Sequence, residues 1–284
     1  MTVIRSDVLG FCFGVRHAVD EADKALSQTV GKKIYTLGPL IHNQTVLNAL
    51  AQKGLCMLDE NGAADVENGS VVLVRAHGAA PEVIETLEKK QCAIVNATCT
   101  RVTASQKLAA EYAANDFTVI FAGDEKHGEV ASIAGYAKKH FVLVQSQSEA
   151  SALELSEDAK AVLLAQTTFS ESEFKKIAKL LINKCPSLVV VNTICPATKA
   201  RQNALAKLCP IVDGVLVIGG KSSANTKRLL LAARAYGCRA HLIECASEIP
   251  VEYFAMKTVG ITAGASTPDA VIDEVEQLLK ERGI

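Results

Sequence analysis

Residues 93–123 read AIVNATCTRVTASQKLAAEYAANDFTVIFAG. A β-branched run ends in Cys99, a helical pattern follows at VTASQKLAAEYAA, and a second β-branched run closes on Gly123. The same order occurs twice more. LVVVNTIC ends at Cys195 and leads into ATKARQNALAKL and GVLVIGG, while TVIRSDVLGFC ends, less regularly, at Cys12 and leads into VRHAVDEADKAL and KKIYTLG. The three cysteines stand 87 and 96 residues apart. The 89 residues after Cys195, joined to the first 12, make a third unit of similar length, so the repeat is circular.

Each second run opens a polar loop: HNQ at His42–Gln44, HGE at His127–Glu129, SSAN at Ser222–Asn225. A second helix and a short strand follow (GLCMLDE, HFVLVQS, RAHLIEC), and then a strongly apolar strand with its own polar end. Those ends are VVLVRAHG at His77, AVLLAQTT at Thr167 and Thr168, and TVGITAGAS at Ser266. A third helix, led by PEVIETLEKK, SESEFKKIAKLL or TPDAVIDEVEQLL, returns to the strand that carries the next cysteine.

Alternating strands and helices at these lengths predict an α/β fold of mainly parallel sheets with right-handed crossovers. Ligands then sit at the carboxyl ends of the strands, the edge that holds the cysteines and the polar loops. The expected domains are 13–97, 98–193 and 194–284, the last completed by an N-terminal strand within 1–12. Three similar units without Pro/Gly/Ser-rich linkers are expected to pack about a pseudo-threefold axis that brings three equivalent strand ends toward one centre.

Composition agrees. Among 284 residues only 5% are aromatic and none is tryptophan, so the cores rest on Val, Leu, Ile and Ala, as in covered parallel sheets. Thirty Lys and Arg nearly cancel 31 Asp and Glu with no basic block, which argues against nucleic acid as a partner. No apolar stretch is long enough to span a membrane, and a soluble, cytoplasmic protein is expected. GKKIYTLGPL and VIGGKSSANTK are neither a dinucleotide fingerprint nor a P-loop.

Nine cysteines suit a reducing compartment rather than a disulfide framework. Cys56, Cys92, Cys185, Cys209, Cys238 and Cys245 read as structural. So do His17, His140 and His241. Cys12, Cys99 and Cys195 differ because each opens a helix, where the dipole favours the thiolate that a metal requires. Local CxxC spacing is absent, so ligands come from distant segments. Three such thiolates suit a central 4Fe-4S cluster, and three ligands leave one iron open as a Lewis acid. His42, Asn43, His77, His127, Ser222, Ser223, Asn225 and Ser266 supply donors near helix N-termini, the chemistry a diphosphate needs. A lone loop His or Ser is most often a helix cap, but His42, His127 and Asn225 fall 30, 28 and 30 residues after their cysteines, which favours a shared role. Glu129 is the loops' one carboxylate and a candidate proton donor.

With GFCFGV at Cys12, LGPLIHN at His42, RAHG at His77, ATC at Cys99, HGEV at Glu129, QTT at Thr167, NTIC and ATKARQ after Cys195, KSSAN at Ser223 and AGAS at Ser266, the chain resembles the 4-hydroxy-3-methylbut-2-enyl diphosphate reductase family over essentially its whole length. That resemblance implies reductive dehydroxylation of the hydroxylated diphosphate to isopentenyl and dimethylallyl diphosphate. It implies that Cys12, Cys99 and Cys195 hold the cluster. His42, His77, His127, Ser223, Ala224, Asn225 and Ser266 would grip the diphosphate. Thr167 and Glu129 would face the substrate hydroxyl, with Glu129 the proton source. Electrons would come from an external donor such as ferredoxin or flavodoxin.

The chain departs from the family pattern at Thr100 and Arg101, where Pro and an apolar residue are usual, at Gly128, where Pro is usual, and at Ala224, where a second serine is common. Two rival readings are a three-lobed cluster dehydratase or lyase resembling quinolinate synthase, and a cluster-based redox sensor. The diphosphate donor set speaks against the first, and the lack of a basic DNA-reading element against the second.

Overall fold

In the computed structural model the β-branched runs become strands and the patterned runs between them helices. The structure describes residues 1–59 and 62–283, so Glu60, which ends the GLCMLDE stretch, lies outside the described residues, as do Asn61 and Ile284. The chain opens with strand β1 (Thr2–Arg5) and helix α1 (Phe13–Gln28), followed by β2 (Ile34–Leu37), α2 (Gln44–Gln52), β3 (Leu55–Leu58), β4 (Val71–Val74), α3 (Pro81–Lys89) and β5 (Ala93–Asn96). Next come α4 (Thr100–Ala114), β6 (Thr118–Ala122), α5 (Gly128–Ala137), β7 (Phe141–Val144), α6 (Gln147–Ala152), β8 (Ala161–Ala165), α7 (Glu171–Lys184) and β9 (Val189–Val190). The last stretch is α8 (Pro196–Leu208), β10 (Gly214–Ile218), α9 (Ala224–Ala235), β11 (Ala240–Ile243), β12 (Thr258–Ala263) and α10 (Asp269–Arg282).

The chain divides into two compact units. One comprises Met1–Arg16, Ile41–Ala49 and Pro196–Ile284, the other His17–Leu40 and Leu50–Cys195. The first holds one sheet, ordered β1-β12-β10-β11. The second holds two, β3-β2-β4-β5 and β7-β6-β8-β9. Every pairing is parallel. Each sheet runs second, first, third, fourth strand of its repeat, and β1 is the fourth strand of the sheet that holds β10, β11 and β12. Thr2 to Arg5 align with Thr258 to Ile261.

The inner strands are apolar on both faces because helices cover both sides of a parallel sheet. Val119 to Ala122, Ala161 to Ala165 and Val215 to Ile218 are fully buried. One core packs Ile120 and Leu163 against Phe174, Ile177 and Leu181 of α7. Another packs Leu216 and Ile261 against Val275 and Leu279 of α10. The fourth strands β1, β5 and β9 lie at sheet edges and are half-exposed.

LVVVNTIC forms a shorter strand than its sequence promises, only Val189–Val190. Val191 N–H still donates to Leu163 O at 3.0 Å, but beyond it the Thr193 side chain takes over, its Oγ1 accepting from Ala165 N–H at 2.7 Å and donating to Ala165 O. A hydroxyl has replaced the ladder, and the main chain is released toward Cys195. Among the described residues no helix is long and apolar enough to cross a membrane.

Candidate functional site

In a sheet ordered second, first, third, fourth, the connections diverge between the first and third strands, and the crevice at their carboxyl ends is where α/β sheets hold ligands. The polar loops lie there. The loops after β2, β6 and β10 carry His42, His127 and Ser223; those after β4, β8 and β12 carry His77, Thr167 and Ser266.

One hydrogen bond recurs in all three sheets. Cys99 N–H donates to Ala76 O at 3.0 Å, Cys195 N–H to Thr167 O at 2.8 Å, and Cys12 N–H to Ala265 O at 3.1 Å. Each cysteine is therefore pinned by its own main chain to the loop that follows the third strand of its sheet. Ala76 and Ala265 directly precede His77 and Ser266, and Thr167 is itself a candidate. All three cysteines are outside any disulfide and half-buried, and each is followed at once by an α-helix: α1, α4 or α8.

In the second unit, Glu129 is fully buried in the first turn of α5 and accepts from Thr167 twice, from the N–H at 2.8 Å and from the hydroxyl at 2.7 Å. His127 caps the same helix, its Nδ1 accepting from Glu129 N–H at 3.2 Å. The His77 ring meets the His127 ring edge-on, with centroids 4.8 Å apart. Gln166, also fully buried, accepts from Asp124 N–H at 2.9 Å through Oε1 and donates to Thr168 Oγ1 at 2.7 Å through Nε2, tying the loops after β6 and β8 together.

In the first unit, Ser266 Oγ donates to His42 O at 2.9 Å. Gly220 allows this approach, since a Cβ there would stand 2.6 Å from the same carbonyl oxygen. Asn43 Oδ1 accepts from Val46 N–H at 3.1 Å and caps α2, and Ser223 Oγ accepts from Thr226 N–H at 3.4 Å and caps α9. Asn225 lies in the first turn of α9, buried, with no hydrogen-bond partner for Nδ2. A buried amide without a partner costs free energy, and an anion at this helix start would supply the acceptor. Ala224, the first residue of α9, offers the main chain alone.

His127, Asn43 and Ser223 thus occupy the same capping position in three equivalent loops, so the bland reading of these residues as caps is true of each. A cap leaves the remaining N–H groups of its first helical turn pointing outward. Two residues were not singled out by sequence: Gln166, quoted only as part of QTT, and Arg75 of RAHG, which is buried and lies across the Gly128 backbone, where a Cβ would be 2.3 Å from its Nη2. A shared place in equivalent motifs could have flagged Gln166. Nothing in one sequence joins residues 75 and 128.

The donor chemistry fits a thiolate-held cluster. The other six cysteines do not directly precede an α-helix. Cys185 is buried, its thiol 3.4 Å from Ala159 O, and burial pushes the Cys209 thiol up to about 12, which keeps it protonated.

Comparison with known proteins gives a consistent result. A family model described as LytB protein matches residues 3–280. A 4-hydroxy-3-methylbut-2-enyl diphosphate reductase of Treponema denticola is 48% identical, covering 99% of this chain and 100% of its own. One from Clostridium perfringens is 38% identical over 98% of each chain. Among solved structures, the E-1-hydroxy-2-methyl-but-2-enyl-4-diphosphate reductase from Plasmodium falciparum is similar with a TM-score of 0.92 and 26% identity over 99% of this chain and 87% of its own. A second, described as (E)-4-hydroxy-3-methyl-but-2-enyl diphosphate reductase, the terminal enzyme of the non-mevalonate pathway, gives 0.70 and 35% over 99% and 100%.

Proposed function

The chain belongs to the LytB protein family, and on that premise we infer that it reduces (E)-4-hydroxy-3-methylbut-2-enyl diphosphate to isopentenyl and dimethylallyl diphosphate. It is an oxidoreductase of isoprenoid biosynthesis by the non-mevalonate route. The observation that carries the reading is identity of 48% to a relative of that name over its full length. A cluster lyase resembling quinolinate synthase and a redox sensor are both disfavoured by that match.

The family's cofactor is of the iron-sulfur class, and we propose that Cys12, Cys99 and Cys195 hold a 4Fe-4S cluster. Three half-buried cysteines, each at the start of an α-helix and each held by the same main-chain bond, support this assignment. Such a cluster, when bound, supplies electrons and one iron without a protein ligand that can act as a Lewis acid. His42, His77, His127, Ser223, Asn225 and Ser266 grip the diphosphate, with Ala224 adding its main chain. The unpartnered Asn225 amide supports that role. Two electrons and two protons convert the allylic C–OH to C–H and water. Glu129 holds the proton and passes it by way of the Thr167 hydroxyl, a route supported by the 2.7 Å bond between them.

An external ferredoxin or flavodoxin supplies the electrons. Nine cysteines outside any disulfide support a cytoplasmic setting. Boundaries at 13–97, 98–193 and 194–284 with 1–12 are proposed as evolutionary repeats, supported by one four-stranded sheet for each.

The test is Mössbauer spectroscopy on anaerobically purified, iron-57-labelled protein with and without the hydroxylated diphosphate. One iron site in four should change its parameters on addition. A protein without a cluster, or with irons indifferent to substrate, overturns the assignment.

A further inference from the structure

His77 lies in a four-residue link, Ala76 to Ala79, that is held at both ends. At one end Ala76 O accepts from Cys99 N–H at 3.0 Å. At the other, two buried side chains of neighbouring helices meet. Gln106 of α4 donates from Nε2 to Ser132 Oγ at 2.7 Å, and Ser132 of α5 donates onward to Ala79 O at 3.2 Å. Gly78 between them has φ +78, and a Cβ there would stand 2.4 Å from Gln106 Nε2 and 2.8 Å from Ser132 Oγ. The link is therefore pressed against this pair as closely as a main chain can come.

The helices matter because of what they begin with. Cys99 directly precedes α4, and His127 and Glu129 stand at the start of α5. Helices behave as stiff rods over one or two turns, so a bond joining α4, α5 and the link fixes the register of Cys99, Glu129 and His77 together. Packing alone does not hold the link. A cavity of about 190 Å³, lined by Val74, Arg75, Gly78, Ala79, Ala131 and Ser132, adjoins it and leaves room for movement.

We propose that Gln106 and Ser132 are positioning residues that act through His77. They hold its imidazole against the His127 ring in the posture that receives a diphosphate, an inference that rests on the reading of His77 as a diphosphate ligand. Replacing the Ser132 hydroxyl strands the Gln106 amide and the Ala79 carbonyl, and the link is free to relax toward the cavity. Gln106→Leu leaves the Ser132 to Ala79 bond in place and should do less.

The experiment is calorimetric titration of inorganic diphosphate into the oxidised, cluster-loaded protein, with steady-state kinetics and Mössbauer spectra alongside. Ser132→Ala should weaken diphosphate binding about tenfold and Gln106→Leu about threefold, as expected for loss of one buried hydrogen bond or part of one. KM for the hydroxylated substrate should rise in step, with kcat and the cluster spectrum little changed. In a His77→Ala background Ser132→Ala should have no further effect, because residues acting through one group are not additive. Full weakening in that background, or a lowered melting temperature with unchanged affinity, overturns the positioning role. Failure of the unaltered protein to bind inorganic diphosphate or turn over substrate instead overturns the functional reading, and the inference with it.

Discussion

Glu129 and Thr167 are joined twice, both carboxylate oxygens of the one accepting from the N–H and the hydroxyl of the other at 2.8 and 2.7 Å. Glu129 stands in the first turn of the helix after β6 and Thr167 in the loop after β8, two neighbouring inner strands of one sheet. Glu129→Gln puts an amide NH₂ against one of two donors and removes the transferable proton. Turnover should fall by about a hundredfold or more, the usual worth of a general acid. Single-turnover kinetics with pre-reduced protein measures it, and turnover unchanged by the substitution would refute the relay.

Gly128 is the first residue of α5, a position for which proline is ordinarily well suited. Here the gain is unavailable, because the buried Arg75 guanidinium lies 2.3 Å from where a Cβ would be. Gly128→Pro should destabilise the protein by about 1–3 kcal/mol, the usual cost of overpacking. Made together with Arg75→Ala, the same change should cost much less. Chemical denaturation of the four proteins tests whether residues 75 and 128 are coupled.

Cys12, Cys99 and Cys195 are interchangeable in local setting, and each replaced by serine should leave protein that folds but retains little iron. Cys185→Ser and Cys209→Ser provide the contrast. Both sites are buried in cores and neither directly precedes an α-helix, so these variants should lose some stability yet keep their iron. Iron and sulfide analysis of anaerobically purified variants decides the matter. Full iron content in any of the first three would remove that cysteine from the ligand set.

Arg5 of β1 pairs with Asp273 and Glu276 of α10. Lys280 first, and Arg5 after it, hold the Glu276 carboxyl below the ordinary carboxylate range. The contribution is therefore complete above about 4.3, the unperturbed value, and is lost as pH falls through the lowered one. Solvent screens these groups, so Arg5→Met should cost under about 1 kcal/mol at pH 7. Denaturation curves of the two proteins should converge at the acid end. A difference that persists below pH 3 would show that Arg5 acts through packing.

Much of the fold was legible because parallel strands covered on both faces write themselves as apolar runs, and because the order repeats. The polar ends at His42, His77, His127, Thr167, Ser223 and Ser266 were legible for the same reason, since a strand that stops being apolar marks its carboxyl end. Helix starts were read late in all three polar loops: Gln44, Gly128–Glu129 and Ala224–Asn225 belong to first turns. The Gln106–Ser132 pair was not legible at all. Its partners are 26 residues apart on two helices, each an ordinary polar residue in its own stretch, and only the closeness of Gly78 reveals what they hold.

Strand β1 has a consequence for biosynthesis. Thr2 pairs with Thr258, 256 positions later, so β1 leaves the ribosome long before its partner strand exists. The two sheets of the other unit can form on the nascent chain while β1 and the Cys12 loop wait. A ribosome stalled before β12 should therefore carry two finished sheets and an N-terminal segment open to proteases. Such long-range closure is intrinsically slow. It makes Cys12 the last of the three cysteines to gain its native surroundings, because Ala265, whose carbonyl holds its main chain, lies beyond β12.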